Sequence, residues 1–169
     1  MIRRPKIDAV IPITPKPKGR PRMSKKGHAY TPSDTRKWEA QCAAVLAQHT
    51  PAEPLSGPLI FDVLLVLPRP GYMCKRDRHG QLKHDPGLIW KPSKPDLSNL
   101  IKSLEDAASF AKWWRDDSQV TAGFQLKAYA ELDGDARIEV MVSEAGDTTP
   151  EAAWMATRVQ RGSRSNSAR

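Results

Sequence analysis

Apolar and polar positions along this chain follow two periods, one helical and one alternating, and the elements lie where each period holds. Near the start, Ala9 to Thr14 (Ala-Val-Ile-Pro-Ile-Thr) reads as a short strand, with Pro12 assigning it to a sheet edge or a bulge. Residues 15–30 keep no period, and Pro15, Pro17, Gly19, Pro21 and Gly27 exclude regular helix and interior strand there. Thr31-Pro32-Ser33-Asp34 is a helix-start signal. Trp38, Cys42, Val45 and Leu46 then fall at helical spacing, which predicts a first helix over residues 33–49. Leu59 to Leu67 is an almost unbroken apolar run between Pro58 and Pro68, the pattern of a buried central strand. From Arg69 to Pro95 periodicity is lost, and a loop this long inside a compact domain is functional or disordered. Helical order returns over Asp96 to Ala108: Leu97, Leu100, Ile101, Leu104, Ala107 and Ala108 form a stripe, while Asn99, Lys102 and Asp106 share another face. Gln119–Ala130 and Ala136–Val142 read as two strands, and the Asp-Gly in Glu131-Leu132-Asp133-Gly134-Asp135 predicts a hairpin between them.

The order β-α-β-α-β-β describes a small α/β domain whose mixed sheet is packed by two main helices. A chain of 169 residues with 39% hydrophobic residues suits one domain. Its expected extent is residues 1–144, including a basic loop at 15–30 and a longer basic loop at 69–95. Residues 145–169 are poor in apolar positions and are expected to form a mobile tail. Two cysteines, Cys42 in a predicted helix and Cys74 in a polar loop, do not make a disulfide framework, so free thiols are expected. No apolar stretch approaches the roughly 20 residues that span a bilayer, and the start lacks the apolar core of a signal peptide. The expected location is cytoplasmic, without a membrane partner.

Charge changes the picture by where it sits. The total is +8, from 27 Lys+Arg against 19 Asp+Glu. Residues 1–50 hold 11 Lys+Arg and 3 Asp+Glu, whereas residues 101–150 hold 5 and 10. A basic arm beside an acidic segment suits an enzyme that grips phosphates with one part and collects metal cations with the other. Lys18, Arg20, Arg22, Lys25 and Lys26 in the first loop, with Lys91 and Lys94 in the second, form the candidate phosphate-gripping set. Each feature also has a plainer structural reading. Asp96 before an apolar helix can be an N-cap, Asp116-Asp117 a turn, and Asn99, Lys102 and Asp106 a solvated face. Trp113 and Trp114 can stack on bases, but a domain of this size needs at least one of them in its core. Cys74, His79 and His84 lack the fourth ligand of a tetrahedral zinc site.

Three segments taken together carry more than any one alone: Asp96-Leu97-Ser98-Asn99-Leu100-Ile101-Lys102 with Asp106 beyond it, then Asp116-Asp117-Ser118-Gln119-Val120, and upstream Lys18-Gly19-Arg20-Pro21-Arg22 with Gly27 to Pro32. In that order and spacing, over residues 9–143, the chain resembles the RusA family of Holliday junction resolvases. The resemblance implies a RusA-like fold and hydrolysis of phosphodiesters in branched DNA during recombination and repair. It further implies Mg2+ as cofactor, with Mn2+ as the alternative ion, and a homodimer that sets two sites against one junction. Residue by residue, it implies that Asp96 and Asp117 bind metal, with Asp106 and Asp116 near the same pocket and Lys102 close to the scissile phosphate. Asp106 is counted with the metal ligands and all five with the catalytic set. One departure stands out: Ser98 occupies the place of a second family Asp, and a hydroxyl adds no negative charge. The alternative implied by Ser98 is a branched-DNA-binding protein with weakened or lost catalysis.

Overall fold

The apolar run at residues 59–67 has to be hidden along its whole length, and the rest of the chain supplies the cover. The computed structural model describes residues 5–19, 22–25, 27–74, 76–80 and 87–152. Among these the chain runs β1 (Ile7–Ile11), β2 (Arg22–Met23), β3 (Ala29–Tyr30), α1 (Ser33–Leu46), β4 (Leu59–Leu67), β5 (Ile89–Trp90), α2 (Leu97–Phe110), β6 (Val120–Ala122), β7 (Gln125–Tyr129) and β8 (Arg137–Glu144). The main sheet has the order β1-β8-β4-β7-β5, with β6 also pairing with β4. β8 runs antiparallel to both of its neighbours, β1 and β4, whereas β6 and β7 run parallel to β4. The fold is thus the expected α/β arrangement with a mixed sheet, and β4 is its central strand.

Period-2 alternation decides which face is covered. Ile7, Ala9 and Ile11 of β1, Phe61, Val63 and Leu65 of β4, and Ile138, Val140 and Val142 of β8 are all buried with Trp38, Cys42 and Leu46 of α1 and Leu100, Ile101, Leu104, Ala107 and Ala108 of α2. Both helices therefore lie on one face of the sheet. On the other face Val10, Phe124 and Met141 stay exposed.

Three sequence expectations need correction. The hairpin at Asp133-Gly134 is absent: β7 and β8 are not neighbours, because β4 lies between them. An Asp-Gly turn is a local signal, but the largely apolar β4 needs a partner on each edge, so the chain crosses it. The crossing turn is held by Arg137, which donates to both carboxylate oxygens of Glu131. That pairing depresses the Glu131 carboxyl to about 2. Second, the expected strand over 119–130 is a 3-10 turn followed by β6 and β7, broken at Gly123-Phe124. A Cβ at Gly123 would overlap the Phe61 carbonyl, and the Asp62 carboxylate accepts from the Phe124 N–H at 2.6 Å. Third, the first loop contains the short β2–β3 hairpin, and β1 starts earlier and ends before Pro12. Residues 153–169, most of the expected tail, lie outside the described residues.

Both cysteines are free, and burial pushes the Cys42 thiol up to about 12, which makes it inert. Trp113 and Trp114 are both core residues. Phe61 packs edge-on against Trp114 with ring centroids 5.3 Å apart, and the Trp113 indole donates to the Leu46 carbonyl. The turn that brings them inward closes α2. The Trp113 N–H reaches Ala108 O and the Lys112 N–H reaches Ser109 O, both at 3.1 Å, with Lys112 at φ 61°. This is a Schellman ending with lysine where glycine is usual. Lys112→Gly should therefore stabilise the fold by roughly 1 kcal/mol. A denaturant titration would register a higher midpoint, and a lower midpoint would contradict this account of the helix end.

Candidate functional site

On α2 the polar residues Asn99, Lys102 and Asp106 share a face because they are three and four residues apart. The apolar stripe of the same helix is spent on the core, so this face points away from it. Two other segments converge there. The first loop crosses α2: the Lys18 N–H donates to Asn99 O at 3.0 Å, and Gly19 packs so closely on Thr35 that a Cβ there would displace the Thr35 hydroxyl. From the far side comes the 3-10 turn Asp117–Gln119 that leads into β6.

The result is a chain of alternating charges. The Lys18 ammonium contacts Asp106 Oδ2. Lys102 Nζ lies 2.5 Å from Asp117 Oδ2 and 3.7 Å from Asp106 Oδ1. Glu39, on α1, stands at the other end with Oε1 4.0 Å from Lys18 Nζ. That separation is too long for a hydrogen bond, and Glu39 is only 8% exposed, so Oε1 is a buried acceptor without a hydrogen-bond partner. Burial raises the Glu39 carboxyl above its ordinary value, against the pull of Lys18 and with a further push from Asp106. Burial likewise raises Glu105, opposed by Lys102 and assisted by Asp117 and Asp106. The hydrogen bond to Asp117 is the main reason that Lys102 is raised, which keeps it charged well past neutral pH. Four carboxylates surround two lysines here.

The structure thus brings Lys102, Asp106, Asp117 and Lys18 together. Asp116 serves the backbone instead. Its carboxylate caps the 3-10 turn by accepting from Ser118 N–H, and that bond lowers it. Asp96 is at the N-cap position of α2, exposed, and makes no capping bond through its side chain. It precedes Asp106 by ten residues, about 15 Å of helical rise. Among the described residues no three acidic, histidine or cysteine side chains are grouped closely enough to enclose an ion unaided.

Of the other expected phosphate contacts, Lys25 and Lys94 are exposed and Arg22 lies in β2, while Arg20 and Lys26 fall outside the described residues. Lys91 turns inward instead. Its ammonium donates to Lys94 O at 2.5 Å and to Ser93 Oγ at 2.8 Å, and sits 4.8 Å from the centre of the Tyr129 ring. Lys127, from β7, donates to Ser93 O and Pro95 O at 2.8 and 2.6 Å. Two lysines therefore hold three consecutive carbonyls directly ahead of Asp96. This clamp fixes where α2 begins and hence where its polar face is presented.

Sequence reasoning missed Glu39, Glu105 and Lys127. Glu39 follows Trp38 on the edge of an apolar stripe, and a charged residue at that position was the available signal. Lys127 was hidden inside a strand pattern, where its reach to another element is not visible.

The chain is similar in sequence to known proteins over these segments. The family model described as endodeoxyribonuclease RusA matches residues 12–143. The chain is 32% identical over 133 residues to the uncharacterized protein YqaN of Bacillus subtilis (strain 168), across 77% of this chain and 90% of that protein. It is also 40% identical over 55 residues to the crossover junction endodeoxyribonuclease rusA of Lactococcus phage r1t, across 32% of this chain and 40% of that one.

The matched span contains the whole clamp, which can be tested without reference to activity. Lys127→Met should destabilise the protein by about 1.5–3 kcal/mol, the range for hydrogen bonds to a charged group. Amide exchange in a peptide covering residues 93–100 should accelerate more than in β4. Equal acceleration everywhere would mean that Lys127 supports the fold without anchoring this segment.

Proposed function

The chain belongs to the RusA endodeoxyribonuclease family, and from that premise we propose that it cuts branched DNA, above all four-way junctions, by divalent-metal-dependent hydrolysis of a phosphodiester. The observation that carries this reading is Lys102 shared by Asp106 and Asp117, with Lys18 of the basic loop beside them. One ammonium already occupies the space between two carboxylates, and a buried acceptor on Glu39 is left over. Such a donor set fits a hard cation that takes one or two carboxylates and completes its shell with water and phosphate oxygens. Asp117 is common to either pairing that would hold it: Asp106–Asp117, which share a lysine, or Asp96–Asp117, which the family motif implies. When bound, the ion supplies a more acidic water and charge neutralisation at the phosphate.

The chain's own residues account for the remaining work. A water oxygen bonds to phosphorus as one phosphoester bond breaks, the water losing a proton to solvent and the leaving oxygen taking one up from it, and negative charge grows on the phosphate and leaving oxygens on the way. Lys102 Nζ, protonated through neutral pH, offers hydrogen bonds to that charge. Lys18 and the exposed Lys25 and Lys94 hold flanking phosphates without reading sequence. Asp116 keeps Asp117 in place by capping the turn that carries it.

The open face of the sheet suits a second copy. Val10 at 57%, Phe124 at 65% and Met141 at 47% are exposed there, beside Asp8, Asp62 and Glu139. An apolar and acidic surface disfavours a polyanion, whereas a two-fold pair could bury it and keep both charged helix faces outward. A homodimer of this kind would set two sites against opposed strands of a junction. Ser98, exposed at the second residue of α2, favours a second reading, in which the protein binds junctions but cuts them weakly.

Gel-shift and nicking assays on one synthetic junction decide between them. Asp96→Asn and Asp117→Asn should each abolish nicking while junction affinity holds within about two-fold, because phosphate contacts supply most of it. Ser98→Asp should give equal or faster nicking. Full cleavage by both Asn variants contradicts the site, and binding without nicking in the parent protein supports the second reading. Phe124→Glu combined with Met141→Glu should yield a monomer by sedimentation that no longer nicks opposed strands together; a persistent dimer would place the interface elsewhere.

A further inference from the structure

Glu39 is the acid in this cluster with a buried oxygen left unbonded. It belongs to α1, its carboxylate faces Lys18, and Oε1 is buried without a hydrogen bond. Leaving such an acceptor unsatisfied is destabilising. The cation that faces it is the Lys18 ammonium, 4.0 Å away and engaged with Asp106 Oδ2. Lys18 has its backbone fixed, through its N–H to Asn99 O, but its side chain is 35% exposed and flexible enough to redirect. A small swing would trade one carboxylate for the other. In the arrangement seen, Lys18 and Lys102 both compensate Asp106, so a cation arriving between Asp106 and Asp117 meets two ammoniums already there.

We propose that Glu39 is a positioning residue that takes Lys18 from Asp106 when a divalent cation is captured, so that Asp106 and Asp117 are left as the anionic pair. This rests on the metal-dependent reading above, in its Asp106–Asp117 pairing, and adds a residue to it. Glu39 itself touches neither ion nor phosphate. Its effect passes through Lys18 alone, which separates it from an acid that merely raises the local negative potential. The exchange also keeps Lys18 at the edge of the site, paired to Glu39 and still on the side where DNA phosphates approach.

The test is a double-mutant cycle read by calorimetric titration of Mn2+ into the full chain without DNA. Glu39→Gln should weaken Mn2+ binding about five-fold or more, because Lys18 then has nowhere else to go. Lys18→Met should tighten it, and Glu39→Gln in the Lys18→Met background should change nothing beyond about two-fold. Glu39→Gln should also keep or raise the melting temperature, since it removes the cost of burying a carboxylate. If Glu39→Gln weakens binding equally in both backgrounds, Glu39 acts on the ion directly or through its field, and the proposal is overturned. No effect of Glu39→Gln overturns it as well. Should that variant not fold, Lys18→Met alone must still tighten binding, and unchanged or weaker binding refutes the idea. Failure of the parent protein to bind Mn2+ at all, together with no junction nicking, would bring down the functional reading itself; binding and nicking with an additive cycle would bring down only the role of Glu39.

Discussion

Strand β4 must be sheltered on both edges and on one face, and this requirement arranges everything else in the molecule. Antiparallel β8 takes one edge and parallel β7, preceded by β6, takes the other. Both helices lie over the face formed by Phe61, Val63 and Leu65. Since parallel neighbours cannot be joined by a tight turn, the chain leaves β4 through a long loop and α2 before it returns as β6 and β7. That crossover carries the clamp, the charged face of α2 and the turn bearing Asp117. The candidate site is therefore mounted on the connection that the central strand forces the chain to make.

Charge inside this frame is compensated locally. Lys91 and Lys127 hold backbone carbonyls, Arg137 holds Glu131, and Lys18 and Lys102 share the acids of the candidate site. The balance differs between these groups. At the clamp both ammoniums have backbone oxygens to bind. At the site, acids outnumber lysines and one buried oxygen is left over. An excess of negative charge beneath a basic loop is the condition in which a divalent ion and a phosphate can be bound side by side.

Long-range order decided what the sequence could reveal. The helix from Ser33, β4 and α2 were legible because each is a long periodic or unbroken apolar segment with its own start and stop signals. Asp106, Asp117 and Lys102 were legible as a group through motif order, and the structure adds that they meet. The crossing between β7 and β8 was not legible, because Asp133-Gly134 speaks only for four residues whereas strand order is fixed by what β4 needs. Gly123 carried no sign of its close approach to Phe61. Lys91 looks like a surface cation in the sequence, since nothing local tells that its ammonium has backbone oxygens to bind. Glu39 was silent for the converse reason: its meaning comes from Lys18, which lies 21 positions earlier in the chain and reaches it over α2.

The acids around Lys102 serve, on this account, metal-dependent cutting of branched DNA. Incubating the full chain with a synthetic four-way junction and with a linear duplex of the same arm sequence, each in Mg2+ and in chelator, tests that claim most directly. The account predicts nicks in two opposed junction strands only when Mg2+ is present, with the duplex intact. A junction that is bound yet uncut across Mg2+ and Mn2+ concentrations, or a duplex cut as readily as the junction, would contradict it.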